Sequence, residues 1–169
     1  LLPNNDIQTF VEQYFKDNDL EEIAKKKPKK LERFLRMDYS NPIYKEEANI
    51  SNPNDTPSRR KIYEGNDILN KPTGFNEYLG TLTTKQDRHP NAGILEFPEH
   101  RTGGSPYRNL TPRECFLLMG FDESDYNRIL KYNPQLQKNK KLYSRERLER
   151  LAGNSIVVDV LIKIFEQFN

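Results

Sequence analysis

Residues 107–121 read YRNLTPRECFLLMGF, and Cys115, the only cysteine of the chain, stands in the middle of that stretch. Thr111 is placed to cap a helix, Pro112 suits its first turn, and Glu114 follows the threonine by three residues. Together they spell a capping box with proline at its favoured position. The apolar run from Cys115 to Met119 then makes a short helix, which Gly120 ends in the left-handed conformation. A small cysteine inside such a helix packs in a core. A nucleophilic thiol needs a base and an oriented site, and the two histidines, His89 and His100, lie in loops without a recognisable Cys/His signature. One cysteine and two histidines also fall short of the four ligands of a structural zinc site, so no metal is expected.

On the C-terminal side, YSRERLERLAGNSIVVDVLIKIFEQF (143–168) predicts a helix from Arg145 to Ala152, a break at Gly153 and a second helix from about Ile156. In the second, Val157, Val160, Leu161, Ile164, Phe165 and Phe168 keep helical spacing. Ser155 is placed as its N-cap, and free backbone N–H groups at that end favour a negative group such as a carboxylate. On the N-terminal side, LGTLTTKQDRHPNAGILEF (79–97) reads as two strands, TLTT and ILEF, joined by a polar tip that carries Lys85, Arg88 and His89. Taken alone it is an ordinary surface hairpin. Farther upstream the order fades. Ile7, Phe10, Val11, Tyr14 and Phe15 mark an amphipathic helix, a lysine-rich connector follows, and LERFLRM (31–37) gives one or two helical turns. Asp38 to Asn70 is dominated by Asn, Pro, Asp and Ser and reads mostly as loop, with KIYEG (61–65) as a short strand.

Composition bounds the class. Of 169 residues only 34% are hydrophobic and 31% are charged, so the core is thin, the loops are long, and another domain is expected to complete the packing. The fold class is α+β: a small irregular lobe with a few strands, flanked by helices. The net charge of +2 is too small to demand a polyanionic partner. Lys25, Lys26, Lys27, Lys29, Lys30, Arg33 and Arg36 cluster, however, as do Lys138, Lys140, Lys141, Arg145, Arg147 and Arg150. Such clusters suit phosphates, although a solvated helix face is the ordinary reading. A single cysteine excludes an internal disulfide framework. With no run of 18 apolar residues and no signal-peptide pattern, a soluble cytoplasmic protein away from membranes is expected.

Three stretches together carry a resemblance. YRNLTPRECFLLMGF resembles the ninth motif of DNA (cytosine-5) methyltransferases through Arg108, Leu110, Thr111, Arg113, Glu114, Gly120 and Phe121. LAGNSIVVDVL resembles their tenth motif through Gly153, Asn154, Ser155 and the apolar helix after them. TLTTKQDRHPNAG looks like the end of their target-recognition domain, where a Thr-Leu pair recurs, here Thr81 and Leu82. The order of the three is that of the family, and the direct match covers about residues 79–121 and 150–165.

The resemblance implies double-stranded DNA as substrate and S-adenosylmethionine as cofactor, held mostly by a catalytic domain or large subunit that is not in this chain. In that family the target cytosine is flipped out, a thiolate adds to C6, and C5 takes the methyl group. The family's nucleophile follows a proline, and its catalytic glutamate stands in Glu-Asn-Val. Neither occurs here, so no catalytic residue is assigned and the chain alone is expected to be inactive. It reads as a cut domain, or as the small subunit of a split enzyme. Residues 1–60 would be an N-terminal helix and connector, 61–143 the recognition lobe, and 144–169 the C-terminal helices that return to a Rossmann-like domain. The implied DNA contacts are Thr81, Leu82, Thr83, Thr84, Lys85, Arg88 and His89. Arg108 would either touch a phosphate or brace the lobe, as Arg113 and Glu114 would. Asn154 and Ser155 would face the cofactor. A non-catalytic DNA-binding module that reuses this region is the alternative. A nuclease is disfavoured, because Asp87 and Glu96 lack a following Glu-x-Lys.

Overall fold

The computed structural model describes residues 30–138 and 140–166, together with Thr9 and Gln13. Thr9 and Gln13 are helical, whereas the rest of the helix read over 7–15, the lysines before Lys30, and Phe168 lie outside the described residues. A 3-10 turn at Leu31–Phe34 leads into α1 (Pro42–Ile50) and α2 (Pro57–Glu64). Two short antiparallel pairs follow: β1 (Asn70–Lys71) with β2 (Gly74–Phe75), and β3 (Leu95–Glu96) with β4 (Tyr107–Arg108). After them come α3 (Pro112–Leu118), α4 (Glu123–Lys131), the hairpin of β5 (Gln135–Gln137) and β6 (Lys140–Lys141), α5 (Arg145–Gly153) and α6 (Val158–Phe165). Helices combined with small antiparallel pairs make an α+β arrangement, as expected.

The centre of the unit Leu31–Asn169 is α3. Every residue from Pro112 to Leu117 is buried, and α4, α5 and the 3-10 turn pack around it. Cys115 and Phe116 share one cluster with Leu69, Leu95, Leu110, Tyr126, Leu148 and Ala152. The capping box is formed: Glu114 N–H donates to Thr111 Oγ1 at 3.2 Å, and Thr111 N–H donates to Glu114 Oε2 at 2.8 Å. Gly120 takes φ +87°, the left-handed value that ends the helix.

Four local expectations are corrected. The segment 38–70 is not mostly loop: Asn41 with Pro42, and Thr56 with Pro57, start two helices by the same cap-plus-proline chemistry as Thr111 with Pro112. KIYEG is therefore the end of helix α2 and not a strand. TLTT forms no strand either. Leu79 and Leu82 are drawn onto the core, and the partner of ILEF is β4, with Leu95 opposite Arg108. Finally, Ser155 does not cap the last helix. Its N–H and hydroxyl both donate to Ala152 O, at 3.0 and 2.8 Å, and so finish α5. The β-branched run Ile156–Val158 delays the next helix until Val158.

Candidate functional site

The Arg108–Glu114 pair is the rigid floor of the lobe. Both side chains are fully buried, and the guanidinium grips both carboxylate oxygens at 2.8 Å. Arg108 Nε donates to Tyr39 Oη at 3.0 Å, and Nη1 also donates to Asn109 O. Glu114 accepts two further backbone N–H groups, from Thr111 and Arg36. Burial alone would raise the Glu114 pKa, but Arg108 and these N–H groups hold it below the usual carboxylate range. Of the two roles weighed for Arg108, the geometry supports bracing. Arg113 does the same for the helices: it donates to both Glu47 oxygens, reaches Glu123 and Asn127, and lies 4.7 Å from the Tyr126 ring centre. The Cys115 thiol is pushed well above its ordinary pKa, by burial first and then by the charges of Glu149 and Glu114. That environment suits packing and opposes a thiolate.

Above this floor, residues 83–89 close into a loop. Thr83 Oγ1 donates to His89 O at 2.6 Å, His89 N–H donates to Lys85 O at 2.9 Å, and the buried Gln86 side chain donates to Thr83 O at 2.7 Å. With Gln86 turned inward, Lys85, Arg88 and His89 are left exposed. Asp87 Oδ2 lies 3.9 Å from Arg59 of α2 and 3.6 Å from Arg88, so it links the loop to the helix beside it. Thr81 is exposed, and Leu82, Thr83 and Thr84 are half-buried.

The loop base meets the tenth-motif glycine. A Cβ on Gly153 would lie 3.0–3.1 Å from Thr83 C and O and Thr84 N, so any side chain there would press that backbone back by a few tenths of an ångström. The ninth motif closes the third side, because Val158 N–H, the first of α6, donates to Met119 O at 2.9 Å. Leu79, Gly80, Thr81, Leu82, Leu118, Met119, Gly153, Ser155 and Val157 thereby line one open groove of about 360 Å³. Thr81, Leu82 and Ser155 come together there. Asn154 is exposed at the end of α5, and Arg88 and His89 do not line the groove.

Glu149 of α5 was not visible in the sequence as a special residue. It is buried, 2.7 Å from Arg145, yet neither Arg145 Nη2 nor Glu149 Oε1 has a well-angled hydrogen-bond partner. Burial pushes its carboxyl up to about 7. Arg145 opposes the rise, and the charges of Asp87 and Glu146 add to it. Only its place on the inward face of α5, one residue after Leu148, hinted at this. Among the described residues no group of three or more His, Cys, Asp or Glu is arranged to hold a metal ion, and no helix is long and apolar enough to cross a membrane.

The family model of the C-5 cytosine-specific DNA methylases matches residues 3–169. The chain belongs to that family. Over 81 residues, 48% of the chain, it is 38% identical to the orphan methyltransferase M.Rho11sI of Bacillus phage rho11s. Over the same length it is 35% identical to the orphan methyltransferase M.SPRI of Bacillus phage SPR, and 33% identical to the putative type II methyltransferase M.BsuMIIP of Bacillus subtilis (strain 168). The matched regions amount to 13% of the first of these proteins and 15% of the other two, so the chain spans a small part of its curated relatives. No solved structure matches.

Proposed function

We propose that this chain is the target-recognition and C-terminal part of a DNA (cytosine-5) methyltransferase of the restriction-modification type. The observation that carries the reading is the junction of three family-like stretches. The glycine of the tenth rests on the backbone of the loop, and the helix after it hangs from the carbonyl of Met119 in the ninth. In this reading residues 61–143 form the recognition lobe. Lys85, Arg88 and His89 face the major groove from the loop, with Thr81 to Thr84 behind them. Arg88 is the first choice for a base contact, since a guanidinium bridges two acceptors of guanine. Loop and lobe hold the duplex while the target cytosine sits flipped in the pocket of the catalytic domain.

Residues 144–169 return to that domain. No residue of α6 is buried, and Ile156, Val160, Ile162, Ile164 and Phe165 are 45–63% exposed. So much apolar surface calls for a partner surface. S-adenosylmethionine would supply the methyl group. Asn154 and Ser155 would stand at the edge of its site, where Ser155 lines the groove and Asn154 is exposed. Both backbone N–H groups are already committed to carbonyls of α5, so any contact would come from their side chains or carbonyls.

The test combines the chain with a separately produced catalytic half of a family member and follows labelled methyl transfer from S-adenosylmethionine to duplex DNA. Transfer that needs both parts supports the proposal, and transfer by the chain alone refutes it. Sequence-selective DNA binding without restored transfer would favour the non-catalytic module.

A further inference from the structure

We propose that the β5–β6 hairpin is a second contact for duplex DNA, one that holds phosphates and reads no bases; this rests on the reading of the chain as a DNA-recognition segment. From Arg128 to Arg145 the sequence has six Lys or Arg and no Asp or Glu. Several cations elsewhere are matched: Arg36, Arg59, Arg60, Arg108 and Arg113 each face a carboxylate. Among the described residues, Lys138, Lys140 and Lys141 form no ion pair, and both strands are exposed along their length.

The hairpin is nevertheless firmly seated. The Asn133 side chain donates to Tyr143 O and accepts from Tyr143 N–H, both at 2.9 Å. Leu142 N–H donates to Pro134 O, Arg147 Nη1 donates to Leu142 O at 2.7 Å, and the Gln135 amide donates to Lys138 O at 3.1 Å. A seated ribbon that buries nothing and gathers like charges opposes folding slightly, and a polyanion relieves that repulsion.

The shape favours duplex DNA over an acidic protein face. Strand alternation sends Lys140 and Lys141 to opposite sides of the ribbon, with Lys138 just past the end of β5. Cations on both faces suit the two phosphate rows that flank a groove, and the major groove admits a two-stranded ribbon. A flat protein partner would meet only one side. The position fits as well. The hairpin leads into the N-terminal end of α5, and Gly153 at the other end touches the loop 83–89. Nine helical residues at ~1.5 Å each separate the two by roughly 13 Å. At ~3.4 Å per base pair along a strand that is about four base pairs, so the hairpin falls on flanking DNA.

The experiment measures anisotropy of labelled duplexes of about 30 base pairs with the full 169-residue chain, across a salt series whose slope counts phosphates. Lys138→Ala, Lys140→Ala and Lys141→Ala together should leave the thermal melt unchanged or slightly raised, since the hairpin adds nothing to the core and the variant relieves like-charge repulsion. The slope of log K against log salt should become shallower by about 2 to 3. Affinity at low salt should fall roughly 10²-fold, equally on every sequence. An unchanged slope, with wild-type binding intact, overturns the hairpin proposal alone and leaves an acidic protein as the lysines' partner. Absence of wild-type duplex binding at low salt would overturn the DNA reading, and the hairpin proposal with it.

Discussion

Replacing Arg108 by alanine leaves the Glu114 carboxylate sealed in a site with no solvent access, and strips it of two of its four hydrogen-bond donors. Breaking a buried pair by removing one partner costs about 3–5 kcal/mol, because the surviving charge is uncompensated. For a chain of this size 1 kcal/mol corresponds to roughly 2–4 °C in melting temperature, so the variant should melt roughly 6–20 °C lower. The pH dependence should also change sign. In the wild type the folded pKa of Glu114 is depressed, so its contribution is present above the unfolded value and is lost as pH falls through the folded one. Without Arg108, burial dominates and the carboxyl pKa rises. The variant should then gain stability as pH falls from neutral toward about 4.3, while this group in the wild type begins to lose its contribution only below that. Thermal melts from pH 4 to 8 read both effects. A variant that melts within about 2 °C of wild type, with an unchanged pH profile, would show that the pair is not the brace described here.

Glu149 gives the opposite linkage. Its folded pKa of about 7 lies above the unfolded value, so it destabilises progressively as pH rises from about 4.5 to 7. Glu149→Gln should remove roughly 2–3 kcal/mol of that loss, and equal pH slopes for variant and wild type in urea melts would refute it. Gly153→Ala should cost about 1–2 kcal/mol, because its Cβ presses on Thr83 and Thr84. A stabilised variant would mean that helix propensity outweighs the contact. Cys115 should react with a thiol reagent only after unfolding, given its burial and raised pKa; prompt native-state labelling would contradict its packing role. In a reconstituted enzyme, Arg88→Ala should lose roughly 1–3 kcal/mol of discrimination at one base pair, whereas equal weakening on all sequences would make it a phosphate contact.

Local chemistry was the legible part. The Thr111 capping box, the left-handed Gly120 and the stop near Gly153 follow from short-range rules, and the structure shows each of them. The same rules applied to Asn41–Pro42 and Thr56–Pro57, but the helices they start lack a clear apolar stripe and were hidden among loop-forming residues. Thr81 to Thr84 misled for a different reason. Threonine favours strands through fit to a pleated neighbour, and here the neighbour is the end of helix α5, which no local pattern announces. The raised pKa of Glu149 and the inward turn of Gln86 are likewise products of long-range packing. Of the candidate site, residue types were readable in advance, while their grouping into one groove was not.

The contact between Gly153 and the Thr83–Thr84 backbone has a consequence for engineering new sequence preference. A designer who grafts only residues 83–89 into another enzyme would transplant a key without its lock, since the loop takes its seat from a helix end some seventy positions later in the chain. A portable cassette has to run from Leu31 through Val158, because Arg36, Tyr39 and Glu47 complete the floor and Arg59 tethers Asp87 of the loop. It carries the loop, the buried arginine–glutamate floor and the glycine on which the loop rests.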